Sequence, residues 1–292
     1  MKRLFYFFLF MPLMAFGQTA PKTCSDWYDG FSAAYDTIHS SAQTGQQDTM
    51  PLIRKYLDQW ELSDTDCADR YTSEFNYHYK RAFFSGITMS VRKPPYVDQA
   101  MTLSDSTGGV AGYVYQGYML TDTLQFERSV NWLERALVRY PERLDIWQGE
   151  IMAFLYADDL ERMIAFFDRF LAYSTRHTGP WLYTKDEPLD NLDPQKADPV
   201  VQTVQDRMNT LLSNEFYAEA MQLTETALKY YPSSPVFLND KAVIYYQQED
   251  YEQALFWMQK ASKADPKDKL IKNNIKFLKK ELKHLNSSLL DH

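Results

Sequence analysis

The sequence predicts an all-α chain: a solenoid of about five stacked helical pairs and a C-terminal capping helix, with a small β-hairpin inserted. Three observations predict it. Residues 201–234 and 235–268 share a period of 34: Ala220 recurs at Ala254, Ala227 at Ala261 and Pro232 at Pro266. Glu215, Tyr217 and Lys229 recur in the same way at Glu249, Tyr251 and Lys263. A period of this size marks units that cannot bury their own faces and must stack. The last nineteen or so residues before the terminus form a single polar-faced helix, as the end of such a stack requires. Finally, 88–120 breaks the helical pattern, with Ala100–Leu103 and Val110–Tyr118 reading as strands around Asp105-Ser106-Thr107-Gly108-Gly109.

Composition agrees with a folded chain. Hydrophobic residues make up 45% and charged residues 24%, which is ordinary for a globular protein. Tyr, Phe and Trp supply ample volume for a core. The formal charge of -8 argues against broad nucleic-acid binding, which wants a basic footprint.

Residues 1–17 read as a signal peptide. Lys2 and Arg3 precede an apolar run from Leu4 to Phe16, broken only by Pro12, and Ala15-Phe16-Gly17 presents small residues for cleavage before Gln18. A membrane anchor is the competing reading, but it needs about 20 apolar residues. No other run is long enough to span a bilayer. The expectation is therefore export to the periplasm, an outer-membrane-associated position or secretion. In such an oxidising compartment the two cysteines, Cys24 and Cys67, suggest one disulfide joining the first helix to the third, against two buried thiols.

Residues 18–292 form a single solenoid in this reading. The first pair is "CSDWYDGFSAAYDTIHS", with Trp27, Phe31, Tyr35 and Ile38 on one face, and "TMPLIRKYLDQWEL". The second pair is split. Its helices are 67–84 and 122–140, and the β-hairpin of 88–120 (or an irregular loop) lies between them. Asp122 can cap the second helix, with Gln125 in capping-box position. The third pair is "DIWQGEIMAFLYADDLERMIAFFDRF", broken at Ala157-Asp158-Asp159. A second insertion, 175–198, is rich in proline and acidic residues. The two clear repeats of 201–268 follow, and 269–285 is the capping helix, with Leu270, Leu278, Leu282 and Leu285 inward.

The repeat resembles the tetratricopeptide family. Leu238, Ala242, Tyr245, Ala254, Met258, Ala261 and Pro266 stand at its pattern positions, although Leu238 replaces the usual tryptophan and Lys241 the usual leucine. Trp147, six residues past Pro141, falls at the tryptophan position of an earlier repeat. The resemblance is specific over 201–268, fair over 122–175 and architectural before that. It implies alanines where helices approach closely, and prolines that end each unit. It also implies a concave face lined by the first helix of each pair, where peptides or partner helices lie. Carried onto this chain, that face comprises Gln148, Met152 and Tyr156, then Gln205, Asn209 and Leu212, then Asn239, Val243, Tyr246 and Gln247. No lysine stands among them, so a lysine–asparagine clamp for a chain-terminal carboxylate is not expected.

Catalytic and metal motifs are missing. His39, His78, His177, His284 and His292 have no metal spacing, and neither a nucleophile elbow nor a phosphate loop is present. Asp186, Glu187, Asp190 and Asp193 lack the glycine on which a calcium loop turns. Neither enzymatic activity nor a cofactor is expected. The implied function is an exported, non-enzymatic scaffold that binds a protein or peptide on its concave face. The alternative is an envelope glycan or small-ligand binder using exposed aromatics, among them Trp181. Nine lysines between Lys260 and Lys283 read as a solvated face, with a membrane or anionic partner as the sharper alternative.

Overall fold

The structure is a computed structural model that describes residues 22–44, 50–63, 65–97, 99–189 and 198–290, with side chains omitted at 37–44 and 285–290. The expected signal peptide, Ile38 and Leu285 lie outside the described residues or side chains. Eleven α-helices occur among the described residues. In chain order these are α1 (Cys24–Thr44), α2 (Met50–Leu62) and α3 (Ala68–Ala82), then α4 (Thr123–Arg139), α5 (Leu144–Tyr156) and α6 (Leu160–Ser174). The C-terminal part contains α7 (Pro199–Ser213), α8 (Tyr217–Tyr230), α9 (Pro235–Gln247), α10 (Tyr251–Ala264) and α11 (Lys269–Leu290).

The repeated residues earn their places by packing and by turn geometry. Ala220, Ala227, Ala254 and Ala261 are all fully buried, so α8 and α10 press closely onto their neighbours. Asp198, Ser234 and Asp250 cap α7, α9 and α10, each accepting a bond from a backbone N–H of the first turn. Glu215 and Glu249, one period apart, both take left-handed conformations (φ 65° and 63°) that close the preceding helix. Asp158 does the same between α5 and α6, at φ 56°.

The inserted sheet is larger than a hairpin. The strands are β1 (Phe83–Ser90), β2 (Met101–Ser104) and β3 (Val110–Leu120), ordered β1-β3-β2 and antiparallel throughout. β2 and β3 are the expected hairpin, turning at Gly108, where φ is 87°. β1 is additional: α3 stops at Ala82, and Phe83 and Phe84 enter a strand paired with Leu120 and Met119. Pairing with the far end of β3 returns the chain to its point of departure. Both Thr121 and Asp122 donate backbone bonds to the Ala82 carbonyl, at 2.8 and 3.1 Å. The split pair α3/α4 is thereby rejoined.

In the second insertion, β4 (Leu182–Tyr183) pairs with β5 (Glu187–Pro188) across a turn at Thr184–Asp186. A buried ionic cluster anchors that turn. Arg143 is fully buried, and its guanidinium donates to Asp69 on α3 (2.8 Å), Asp145 on α5 (2.9 Å) and Asp186 in the turn (2.9 Å). The Lys185 backbone N–H also donates to Asp69.

The main core runs from α3 to α9, with Trp147, Phe154, Phe166, Phe167 and Phe170 at its centre. A smaller cluster, including Trp27, Phe31, Leu57 and Trp60, holds α1 and α2. A third joins α9, α10 and α11 through Leu238, Ala242, Met258, Ile271 and Leu278. The inward face of α11 matches the expected one at Leu278 and departs from it at Leu270. Leu270 is 66% exposed, whereas Ile271 is buried. The buried stripe is Ile271–Leu278, a seven-residue spacing that places Leu270 one position, or about 100°, off the contact.

Cys24 and Cys67 form a disulfide between the start of α1 and the N-terminus of α3, with Cα atoms 6.5 Å apart. It closes a loop of 43 residues beside the small N-terminal cluster. Its removal by Cys67→Ser is expected to cost about 2–4 kcal/mol, read as a lowered urea midpoint. An unchanged midpoint would show that packing alone holds α1.

Candidate functional site

The residues carried over from the repeat pattern divide into covered and uncovered sets. On α5 all three are covered by other segments. Gln148 accepts a bond from the Tyr183 hydroxyl (2.7 Å) in the second insertion and donates to Thr203 (3.0 Å) on α7. The sulfur of Met152 meets a guanidinium nitrogen of Arg207. Tyr156 stands edge to face with both Tyr96 and Tyr118 of the first insertion, its ring centroid 4.9 Å from each. The two insertions therefore close this stretch of the expected face from two sides.

On α7, Gln205 donates to Asp240 of α9, and Leu212 packs on the main core. Burial pushes the Asp240 carboxyl up to about 7, and the Gln205 bond opposes that rise. Asn209 is exposed. On α9, Asn239 is half-buried, and its side-chain oxygen has no hydrogen-bond partner.

Val243, Tyr246 and Gln247 do come together. With Met258 of α10 and Asn274, Phe277 and Leu278 of α11 they line a groove of about 260 Å³. Helical spacing puts the three α9 residues on one face. Met258 and Leu278, both nearly buried, form the floor. Tyr246 is set by two edge-to-face contacts, with Tyr251 at 5.6 Å and Phe277 at 5.8 Å between centroids. Phe277 remains 46% exposed, and Gln247 is exposed at the rim. The groove thus offers an apolar floor, two aromatic walls and two amides, Gln247 and Asn274, able to pair with a backbone. Asn274 and Phe277 were not among the expected site residues. Their places three and six residues after Ile271 were the available signal.

Trp181 lies elsewhere. It is buried against Phe170, Tyr173 and His177, where it helps fasten the second insertion to α6. Among the described residues no group of three or more His, Cys, Asp and Glu could hold a metal ion. No described helix is long and apolar enough to cross a membrane.

Residues 211–273, which span α8 to the start of α11 and include the α9 side of the groove, match the tetratricopeptide repeat family. No curated protein matches the chain. Among solved structures, MamA from Desulfovibrio magneticus RS-1 is 15% identical, over 56% of this chain and 80% of its own, with a TM-score of 0.32. YrrB, a TPR protein with an unusual peptide-binding site, is 11% identical, over 86% of this chain and 97% of its own, with a TM-score of 0.31. PilF from Pseudomonas aeruginosa is 10% identical, over 89% of this chain and 93% of its own, with a TM-score of 0.34. Likenesses at this level say nothing of what this chain binds.

Proposed function

We propose that this chain, a tetratricopeptide-repeat protein, is an exported interaction scaffold that receives an extended peptide or a partner helix in the groove between α9 and α11. The observation that carries this reading is uneven cover. On α5, Gln148 and Tyr156 are closed by the chain's own insertions and Met152 by Arg207 of α7, whereas Val243, Tyr246 and Gln247 face an open groove. The rings in that groove stand edge to face rather than coplanar, which favours a peptide over a sugar face.

Affinity capture from envelope extract tests the reading. Tyr246→Ala should lose the partner that the unaltered protein retains, whereas Gln148→Ala should keep it. Both variants should keep the helical circular dichroism spectrum. Retention of the same partner by Tyr246→Ala would remove the groove from consideration.

Export is part of the proposal. It rests on the Lys2-Arg3 start with its apolar run, and it agrees with a disulfide at Cys24–Cys67. The mass of the protein recovered from the extracytoplasmic fraction should correspond to a chain beginning at Gln18. A chain retaining residues 1–17 would overturn the cleavage site.

A further inference from the structure

A second recess, of about 680 Å³, lies on the other side of α9 and is walled by α8, α9 and α10. Leu228, Leu238 and Trp257 give it an apolar lining. Around them stand four lysines, Lys229, Lys241, Lys260 and Lys263, against a single acid, Glu225. That balance opposes the chain as a whole, whose formal charge is -8.

Lys241 is the unusual member. It occupies the position where the repeat pattern has leucine, and its side chain is only 10% exposed. Withdrawing an ammonium from water costs free energy that a leucine would not incur. The chain meets that cost with an ion pair to Glu225 (2.9 Å) and a contact with the Trp257 ring (4.5 Å to the centroid). Lys260 approaches the same ring at 4.1 Å. Trp257, which also packs against the cluster joining α9, α10 and α11, thus meets two ammonium groups beside this recess. Lys229 is paired with Asp168 at 2.8 Å. Among the described residues, Lys260 and Lys263 have no carboxylate partner, and they sit one turn apart on α10. Two cations are therefore paired with carboxylates, whereas Lys260 rests only on the Trp257 and Phe256 rings and Lys263 has no described carboxylate beside it.

We propose that this recess binds an acidic peptide segment of a partner protein. Its carboxylates would meet Lys260 and Lys263, and an apolar side chain would rest on Leu228 and Leu238. Ammonium groups act as point charges and suit carboxylates presented at varied angles. An apolar floor gives the peptide an advantage over a bare anion, and a recess fits a chain segment better than a flat lipid surface does.

The test is fluorescence anisotropy with a labelled peptide of about eight residues alternating Glu and Leu, titrated with the disulfide-bonded protein. Binding should weaken about tenfold or more in Lys260→Glu/Lys263→Glu, a loss of at least about 1.4 kcal/mol. It should fall severalfold in Lys241→Leu without any drop in thermal midpoint, and as salt rises. Tyr246→Ala should leave it unchanged, which separates this recess from the groove on the other side of α9. Equal affinity of the charge-reversed variant, or of a peptide with Gln in place of Glu, would overturn the proposal. So would binding to phosphatidylcholine–phosphatidylglycerol vesicles, lost in the charge-reversed variant, when the peptide itself does not bind.

Discussion

Arg143→Met is expected to lower the free energy of unfolding by about 3–5 kcal/mol. The arginine is fully buried and Asp69 is 2% exposed, so the two charges have little water to fall back on. Their separate desolvation is offset only because the guanidinium fork reaches three carboxylates at once, with Asp145 and Asp186 completing it. Methionine fills much of the volume but leaves Asp69 with the Lys185 backbone N–H alone. Urea unfolding reads the loss directly. Adding Asp69→Asn to the variant should recover a substantial part of it, because the orphaned charge is then gone. A double variant no more stable than Arg143→Met would assign the cost to lost packing instead. Arg143→Lys should also fall short, since an ammonium cannot make the same planar set of bonds.

Glu150→Gln is expected to remove a large loss of stability with rising pH. Glu150 lies fully buried on α5. Burial, assisted by the neighbouring Glu134 carboxylate, pushes its own carboxyl up to about 9 from an ordinary 4.5. Glu134 moves the other way, because its bonds to Arg169 hold it ionised. Between those two values the unfolded chain has lost the Glu150 proton and the folded chain keeps it. The folded state binds more protons, so stability from this group is complete below about pH 4.5 and declines as pH rises toward 9. The slope is about 1.4 kcal/mol per pH unit, or about 4 kcal/mol from pH 5 to pH 8. Glutamine keeps the shape and has no proton to lose. Its stability relative to the parent should therefore grow steadily across that window. Comparing the two proteins cancels titrating groups remote from Glu150, Asp240 included. Parallel profiles would mean that Glu150 is ionised in the folded chain.

The sequence carried the helical units well because their determinants are local. Small residues at Ala220, Ala227, Ala254 and Ala261, caps at Asp198, Ser234 and Asp250, and prolines after each unit all act within a few positions of one another. It carried β1 poorly because nothing local separates Phe83 and Phe84 from the last turn of α3. Only pairing with β3, more than thirty residues away, makes them a strand. The same division runs through the site. Tyr246 and Val243 could be placed from the repeat pattern. The closure of Gln148 and Tyr156 could not, because it depends on Tyr183, Tyr96 and Tyr118, which reach them from insertions outside the repeat. The face of α11 turned on a single residue of phase, which hydrophobic spacing alone did not resolve between Leu270 and Ile271.

Helical arrays ordinarily behave as one-dimensional systems, in which each unit senses only its neighbours and can melt in steps from either end. Several polar ties run across that order. The Arg143–Asp69 bond joins residues 74 apart, the Lys185–Asp69 bond 116, and a bond from the Asn214 side chain to the Pro95 carbonyl 119. The last two hold an insertion against a unit that is not its neighbour in the chain, and the first locks the two units between which the second insertion is anchored. Opening any one unit between α3 and α7 must therefore break contacts belonging to others. That middle stretch should exchange its amide hydrogens as one cooperative block, while α10 and α11, outside the ties, open independently at lower free energy. The open groove between α9 and α11 then sits where the array keeps its freedom to yield.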